Sequence, residues 1–351
     1  MKIAIFICAL FCAFVSNAQV ADLKDGRTGR IHFASTTPEH PWAMVYGTPG
    51  LSPAVTIFGD LLMPKNIPAC TKVPAVVVSH GSDGVTSLYY DLWAKELNNA
   101  GIAVFIVYTY TPRGFDAHTA DTRLYQNATA NLSDALHALK LLATHPQIDA
   151  NKIFSVGGST GGRVAMYGAF PAYLRVVVPA PLKWAGSVAL YPSGCATRYR
   201  VEHMGTNPAP LLMLLAGKDD STPAKPCIEY ADKLKAGGHN VEYKVYPNAY
   251  HAFDRLTKNY ASYSDSLGGK VIDSAGGDCD MEVTLNPNSP GIGLNGYDFF
   301  QKKELKTGKD WGDALKACQR TNVPIRIGSD PEARADAVKT VIEFITSPKP
   351  K

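Results

Sequence analysis

The sequence predicts an α/β fold: a mostly parallel sheet with helices on both faces, plus a long excursion before the last helix. Three observations carry this. Short, continuously apolar runs rich in Val and Ile recur along the chain, as strands covered on both faces require. Stretches of helical period lie between them, and strands alternating with helices imply a parallel sheet wrapped on both sides. One long segment, rich in Gly, Asn and Ser, breaks the alternation.

The elements follow in order. Lys2, the apolar run 3–15 and Ser16-Asn17-Ala18 have the anatomy of a secretory leader, with cleavage expected after Ala18. The run is too short for the roughly 20 residues that span a bilayer. Residues 19–54 read as an N-terminal extension, and residues 55–351 as the α/β domain. Strands are expected at 55–58, 75–78, 102–108, 153–156, 187–191, 211–215 and 241–246. A helix over 88–99 places Leu92, Trp93 and Leu97 on one side. A second, over 128–143, spaces Leu132, Leu136, Leu139 and Ala143 by three and four. Thr222-Pro223 opens a third helix that Gly237-Gly238 closes, and Asp330-Pro331 opens the last. The excursion occupies about 256–328, with turn signals at Asn286-Pro287, Ser289-Pro290-Gly291 and Asn295-Gly296. A structureless loop of that length is improbable in a compact domain, so short elements of its own are expected, stapled by Cys279–Cys318.

The net charge of +4 is small and dispersed, with no Lys/Arg cluster, which argues against nucleic acid as a partner. Of seven cysteines, Cys8 and Cys12 fall in the leader, leaving Cys70, Cys195, Cys227, Cys279 and Cys318. An odd number leaves one thiol unpaired in an oxidising compartment. No Cys or His pair has zinc spacing, so no metal site and no cofactor are expected.

Chemistry concentrates in residues 153–168, IFSVGGSTGGRVAMYG. Gly157-Gly158-Ser159-Thr160-Gly161 satisfies G-x-S-x-G between a strand and a helix expected from about Arg163. Positions two before and two after the serine must be small, because strand and helix cross there. The turn then holds the Ser159 hydroxyl at a helix N-terminus, where N–H groups stabilise negative charge. A phosphate loop fits poorly, since Arg163 and Val164 stand where Lys and Ser/Thr would be needed.

Two further groups follow in order. After the apolar run ending at Leu215, Gly217-Lys218-Asp219-Asp220 supplies an acid able to orient an imidazole, Asp219 first and Asp220 as alternate. His251, in Tyr246-Pro247-Asn248-Ala249-Tyr250-His251, lies in a loop after the last strand, downstream of both serine and acid. The loop Ser79-His80-Gly81-Ser82-Asp83-Gly84 is placed to give an oxyanion donor, Ser82 or alternatively Gly81, with Thr160 giving the second. His80 competes for the role of base, but it precedes the serine.

Together, Ser-His-Gly-Ser-Asp-Gly at 79–84, Gly-Gly-Ser-Thr-Gly-Gly at 157–162, Gly-Lys-Asp-Asp-Ser-Thr-Pro at 217–223 and Tyr-Pro-Asn-Ala-Tyr-His-Ala-Phe-Asp at 246–254 resemble the dienelactone hydrolase family. The likeness runs over 55–253 and resumes in the last helix. It implies an α/β-hydrolase fold and catalytic roles for Ser159, Asp219 and His251. It departs in using serine where the founding members use cysteine, in the leader and in the long excursion. The turn Thr111-Pro112-Arg113-Gly114 matches the family's Arg-Gly turn, and Tyr110 and Arg113 become candidates for the substrate pocket. Relatives resembling this chain often carry cysteines at the positions of Cys195 and Cys227, which implies a disulfide there and leaves Cys70 as the odd one, a small buried residue by default. The expectation is an exported serine hydrolase acting on a small-molecule ester or lactone, with no membrane span after leader removal. Two readings compete: a peptidase or amidase of the prolyl-oligopeptidase type, for whose propeller residues 19–54 are too few, and a non-catalytic binding protein of the same fold.

Overall fold

The computed structural model describes residues 18–347, apart from 40, 48–49, 69, 116–127, 201–203, 208, 258–260, 263–278, 284–295, 300 and 319–325. The expected leader, apart from its last residue Ala18, and the turn signals at 286–287 and 289–291 therefore lie outside the described residues.

The main sheet has eight strands in the order β1-β2-β4-β3-β5-β6-β8-β9. These are β1 Gly29–Thr36, β2 Ala54–Leu62, β3 Val73–Ser79, β4 Ala103–Tyr108, β5 Ile148–Gly158, β6 Gly186–Leu190, β8 Leu211–Ala216 and β9 Val241–Tyr246. From β4 onward every pairing is parallel, while β1 and β2 run antiparallel to their neighbours. All seven expected strands are present, and both faces of the sheet are covered. Ala75, Val77, Phe105 and Val107 enter one apolar core, while Val76, Val78, Val104 and Ile106 enter the other. That two-sided burial is why these strands read as unbroken apolar runs.

Helices α1 Pro41–Tyr46, α3 Ala128–Leu142, α4 Thr160–Tyr167, α5 Pro171–Val177 and α6 Ala224–Ala236 pack on the first face. On the second lie a π-helical turn, Tyr89–Ala94, running into α2 Lys95–Asn99, and the last helix α8, Pro331–Thr346. The leucines at 136, 139 and 142 of α3 are fully buried, each stabilising the fold by about 1.5–3 kcal/mol through apolar burial. The Asp330 carboxylate caps α8 by accepting from the amides of Glu332 and Ala333.

Residues 19–54, set apart by the sequence as an extension, contribute β1 to the same sheet. The eight residues of β1 pair with β2 from Gly29↔Leu61 to Thr36↔Ala54. Their alternating burial, with Ile31, Phe33 and Ser35 inward, is an edge-strand pattern. It lacks the continuous apolar signal of the central strands.

The excursion does carry short elements. β11 Met281–Val283, β12 Gly296–Asp298 and β13 Lys303–Leu305 form a small sheet with β7, Thr197–Tyr199, which follows the end of β6. Helix α7, Gly308–Cys318, ends on the disulfide Cys279–Cys318. Arg198, almost wholly buried, joins β7 to the neighbouring β11 by pairing with Asp280 and Glu282. The chain returns as β14, Arg326–Ile327, against β10, Ala261–Ser262. Among the described residues no helix is long and apolar enough to cross a membrane.

The pairing of Cys195 with Cys227 is also present and ties the loop after β6 to the first turn of α6. It closes a loop with a sequence separation of 32, which in the chain-entropy picture stabilises the folded state by about 3–4 kcal/mol. Cys195→Ser with Cys227→Ser is expected to lower the free energy of unfolding accordingly, with a steeper urea dependence because the uncrosslinked unfolded chain exposes more surface. Cys70, expected to be buried, is instead exposed and at a φ of 62°. It lies in the loop between β2 and β3, past the last core position of β2.

Candidate active site

Strand β5 delivers the chain to the C-terminal edge of the sheet, where it reverses into α4 at Ser159. The backbone there has φ 55° and ψ −116°, outside the regions L-residues populate, at a cost of order 1–3 kcal/mol. The glycines explain how the reversal fits. A Cβ on Gly161 would lie 1.9 Å from the Ser79 carbonyl oxygen, and one on Gly157 would lie 2.4 Å from the Gly161 backbone. The expected spacing rule is therefore met by backbone, not by movable side chains. Helix α4 begins at Thr160, immediately after the serine and earlier than the sequence suggests. Its opening N–H groups thus sit beside the hydroxyl.

The three residues singled out along the chain converge on this edge. The Ser159 Oγ lies 3.1 Å from His251 Nε2, and His251 Nδ1 lies 2.8 Å from Asp219 Oδ2. The imidazole is nearly enclosed and the Asp219 carboxylate is wholly so. Asp219 is fixed by its own turn, with Oδ1 accepting from the amides of Ser221 at 2.8 Å and Thr222 at 2.7 Å. One carboxylate thus shapes the loop before α6 and faces the histidine. Asp220, the alternate, points the other way and pairs with Arg326 of β14.

His80 is ruled out as base by its surroundings. Its Nδ1 is 2.8 Å from the Gly81 carbonyl, which can only accept, so Nδ1 donates and Nε2 accepts from the Thr109 amide. Burial pushes its pKa down to about 4. Both ring nitrogens are occupied in bracing the loop after β3. That loop runs against Ser159: a Cβ on Gly81 would lie 3.5 Å from the serine Cβ. The Gly81 amide, the alternative oxyanion donor, donates to the Tyr89 hydroxyl at 2.8 Å. Ser82, the preferred donor, follows it on the same half-buried loop.

The pocket role expected of Arg113 is corrected. All five guanidinium donors are consumed in the interior. Nε donates to Thr37 Oγ1, Nη1 to the Thr109 carbonyl and Asp134, and Nη2 to the Thr36 carbonyl and Asp134. The pair is buried on both sides and fastens β1, the end of β4 and α3 together. Tyr110 is likewise buried, with its ring edge-on to His80 at 4.4 Å, so it supports the loop after β3 from behind. Removing one partner of a buried, bidentate pair costs about 3–5 kcal/mol. Arg113→Ala is therefore expected to lower the free energy of unfolding by that margin, read from chemical denaturation. A substrate-binding arginine would instead raise KM with stability unchanged, and the two measurements separate the roles.

Three side chains around the site carried no role in the sequence reading. The Thr222 hydroxyl lies 3.0 Å from Asp219 Oδ2 and 3.1 Å from His251 Nδ1; in sequence it signals only a helix start. Tyr191, just past β6 with a φ of 35°, packs edge-on to the imidazole at 4.9 Å. Asp254, three residues after the histidine, is buried beneath Tyr191. Among the described residues no group of three or more His, Cys, Asp or Glu side chains is arranged to hold a metal ion.

The sheet order and the strand-to-helix reversal at Ser159 are those of the α/β-hydrolase fold. The profile of the dienelactone hydrolase family matches residues 59–268, more than half of the chain, and the protein belongs to that family. It is 25% identical over 238 residues to the acylamino-acid-releasing enzyme of Sus scrofa, covering 59% of this chain and 32% of that enzyme. The Homo sapiens enzyme of the same name gives the same identity and coverage. The chain thus spans about a third of the length of these relatives. Among solved structures, the apo form of Thermogutta terrifontis esterase 2 aligns with a TM-score of 0.46 at 16% identity. That alignment covers 61% of this chain and 87% of that one.

Proposed function

We propose that this protein is an exported serine hydrolase that cleaves a carboxylic ester or lactone through an acyl-enzyme on Ser159. The observation that carries the reading is the chain of contacts from Ser159 Oγ to His251 at 3.1 Å and from His251 to Asp219 at 2.8 Å, mounted on a strained turn. His251 takes the serine proton as Oγ attacks the carbonyl carbon. The tetrahedral oxyanion is received by the amides of Thr160 and Ser82, each donor contributing about 3 kcal/mol of transition-state stabilisation. Collapse breaks the C–O bond, and the imidazolium returns the proton to the leaving alcohol. Water then repeats the sequence in reverse and releases the acid. Asp219 keeps the proton on Nδ1, so that Nε2 faces the serine as an acceptor, and stabilises the imidazolium that forms.

Export is supported by the leader pattern at 1–18 and by the two disulfides, which persist in oxidising compartments. A second reading, cleavage of an amide, draws on the acylamino-acid-releasing enzymes. That match covers only about a third of their length.

The test is intact-mass detection of a fluorophosphonate adduct, followed by rates on p-nitrophenyl acetate and an N-acetyl peptide amide. One adduct per chain with faster ester cleavage is expected. Faster amide cleavage moves the peptidase reading forward, and no adduct overturns the acyl-enzyme mechanism in favour of a binding protein.

A further inference from the structure

Beneath the triad lies a second carboxylate that the mechanism does not use. Asp254 is 1% exposed. Its Oδ1 accepts from the Tyr191 hydroxyl at 2.6 Å and its Oδ2 from the Trp93 indole N–H at 2.8 Å. The side chains facing it electrostatically are Tyr191, Tyr89 and Arg255, and Arg255 pairs with Asp83 of the oxyanion loop. Burial raises the carboxyl's pKa. An unsatisfied buried carboxylate is costly, so the two donors hold it in one place and are held by it.

Tyr191 connects this pair to the chemistry on three sides. Its ring edge rests on the His251 imidazole at 4.9 Å and 66°. Its hydroxyl occupies the space that a Cβ on Gly158, the residue before Ser159, would need, 2.5 Å away. Its carbonyl accepts from the Thr222 hydroxyl at 3.0 Å, the same hydroxyl that lies against Asp219 and His251. A ring free to rotate about its χ angles would let the imidazole tilt away from Ser159. The bond to Asp254 removes that freedom.

We infer that Asp254 is a positioning residue for the general base, acting through Tyr191 to fix the plane of the His251 ring against Ser159. The inference rests on the proposed roles of Ser159 and His251. Trp93 supplies the internal control, because it donates to the same carboxylate from the π-helical turn.

The experiment compares Tyr191→Phe, Trp93→Phe and Asp254→Asn by p-nitrophenyl acetate kinetics, the fluorophosphonate inactivation rate and thermal midpoint. Tyr191→Phe keeps the ring and loses only the hydrogen bond. It is expected to lower kcat and the inactivation rate together by about tenfold, with KM within about twofold, since loosened geometry is felt in the reacting complex. Trp93→Phe is expected to lose thermal midpoint while keeping kcat within about twofold. Asp254→Asn keeps an acceptor for the Tyr191 hydroxyl and is expected to retain more of kcat than Tyr191→Phe. Equal losses of kcat in Tyr191→Phe and Trp93→Phe, an unchanged Tyr191→Phe, or Asp254→Asn being the slower overturn the positioning role alone. Absence of any adduct on the wild-type protein overturns the proposed mechanism and the positioning role with it.

Discussion

Ser159→Ala is expected to lower kcat for ester hydrolysis by a factor of about 10⁵ to 10⁶ and to abolish the fluorophosphonate adduct, while the protein remains folded. The size follows from removing the attacking atom: what remains is the catalysis that binding and oxyanion donors give to water alone. The fold should tolerate the change, because alanine needs no more room than serine and the turn is set by glycines. The backbone bonds at this residue, from its amide to the Leu190 carbonyl at 3.0 Å and from the Ser193 amide to its carbonyl at 3.0 Å, are independent of the side chain. A thermal midpoint near wild type with no turnover locates the loss in chemistry. Retained turnover would require another nucleophile and would remove the mechanism.

Asp219→Asn is expected to cost about 10⁴ in kcat with little change in KM. The asparagine oxygen can still accept from the Ser221 and Thr222 amides, which the aspartate does now at 2.8 and 2.7 Å, so the loop keeps its shape. The amide nitrogen is then left facing His251 Nδ1 and can only donate. The proton moves to Nε2, the imidazole presents a donor to Ser159, and the base is lost without any loss of packing. Asp220→Asn is the matched control. Its partner Arg326 is half exposed and stacks on Tyr250 at 4.6 Å, and such exposed pairs contribute little, so kcat should hold within about twofold. A larger loss in Asp220→Asn than in Asp219→Asn would exchange the assignments of the two acids.

That choice between neighbours shows where sequence reasoning reaches its limit. Residues 219 and 220 are both aspartates after the same buried strand, and nothing in their order separates them. The turn does: Asp219 folds back onto the amides of Ser221 and Thr222, which aims its second oxygen at His251 and sends residue 220 outward to Arg326. Arg113 shows the opposite error. Its place in an Arg-Gly turn at the sheet's edge suggested a pocket, but besides the nearby Thr109 carbonyl the acceptors that bury it come from Thr36 and Thr37, at and just past the end of an unassigned edge strand, and from Asp134 of α3. Those partners lie far along the chain, and no local pattern announces them.

The sequence by itself determined seven of the eight main-sheet strands, the elbow and the order of serine, acid and histidine. Each depends on local rules: two-sided burial makes continuous apolar runs, and a sharp strand-to-helix reversal admits only glycine two residues either side of the serine. It also carried the family likeness that residues 59–268 bear out and both cysteine pairings. Only the tertiary structure decided that β1 closes the sheet, that Arg113 is a clamp, that His80 is a brace, and that Tyr191 and Asp254 lie beneath the imidazole. These are contacts between distant segments, fixed by which polar groups must find partners once the core excludes water.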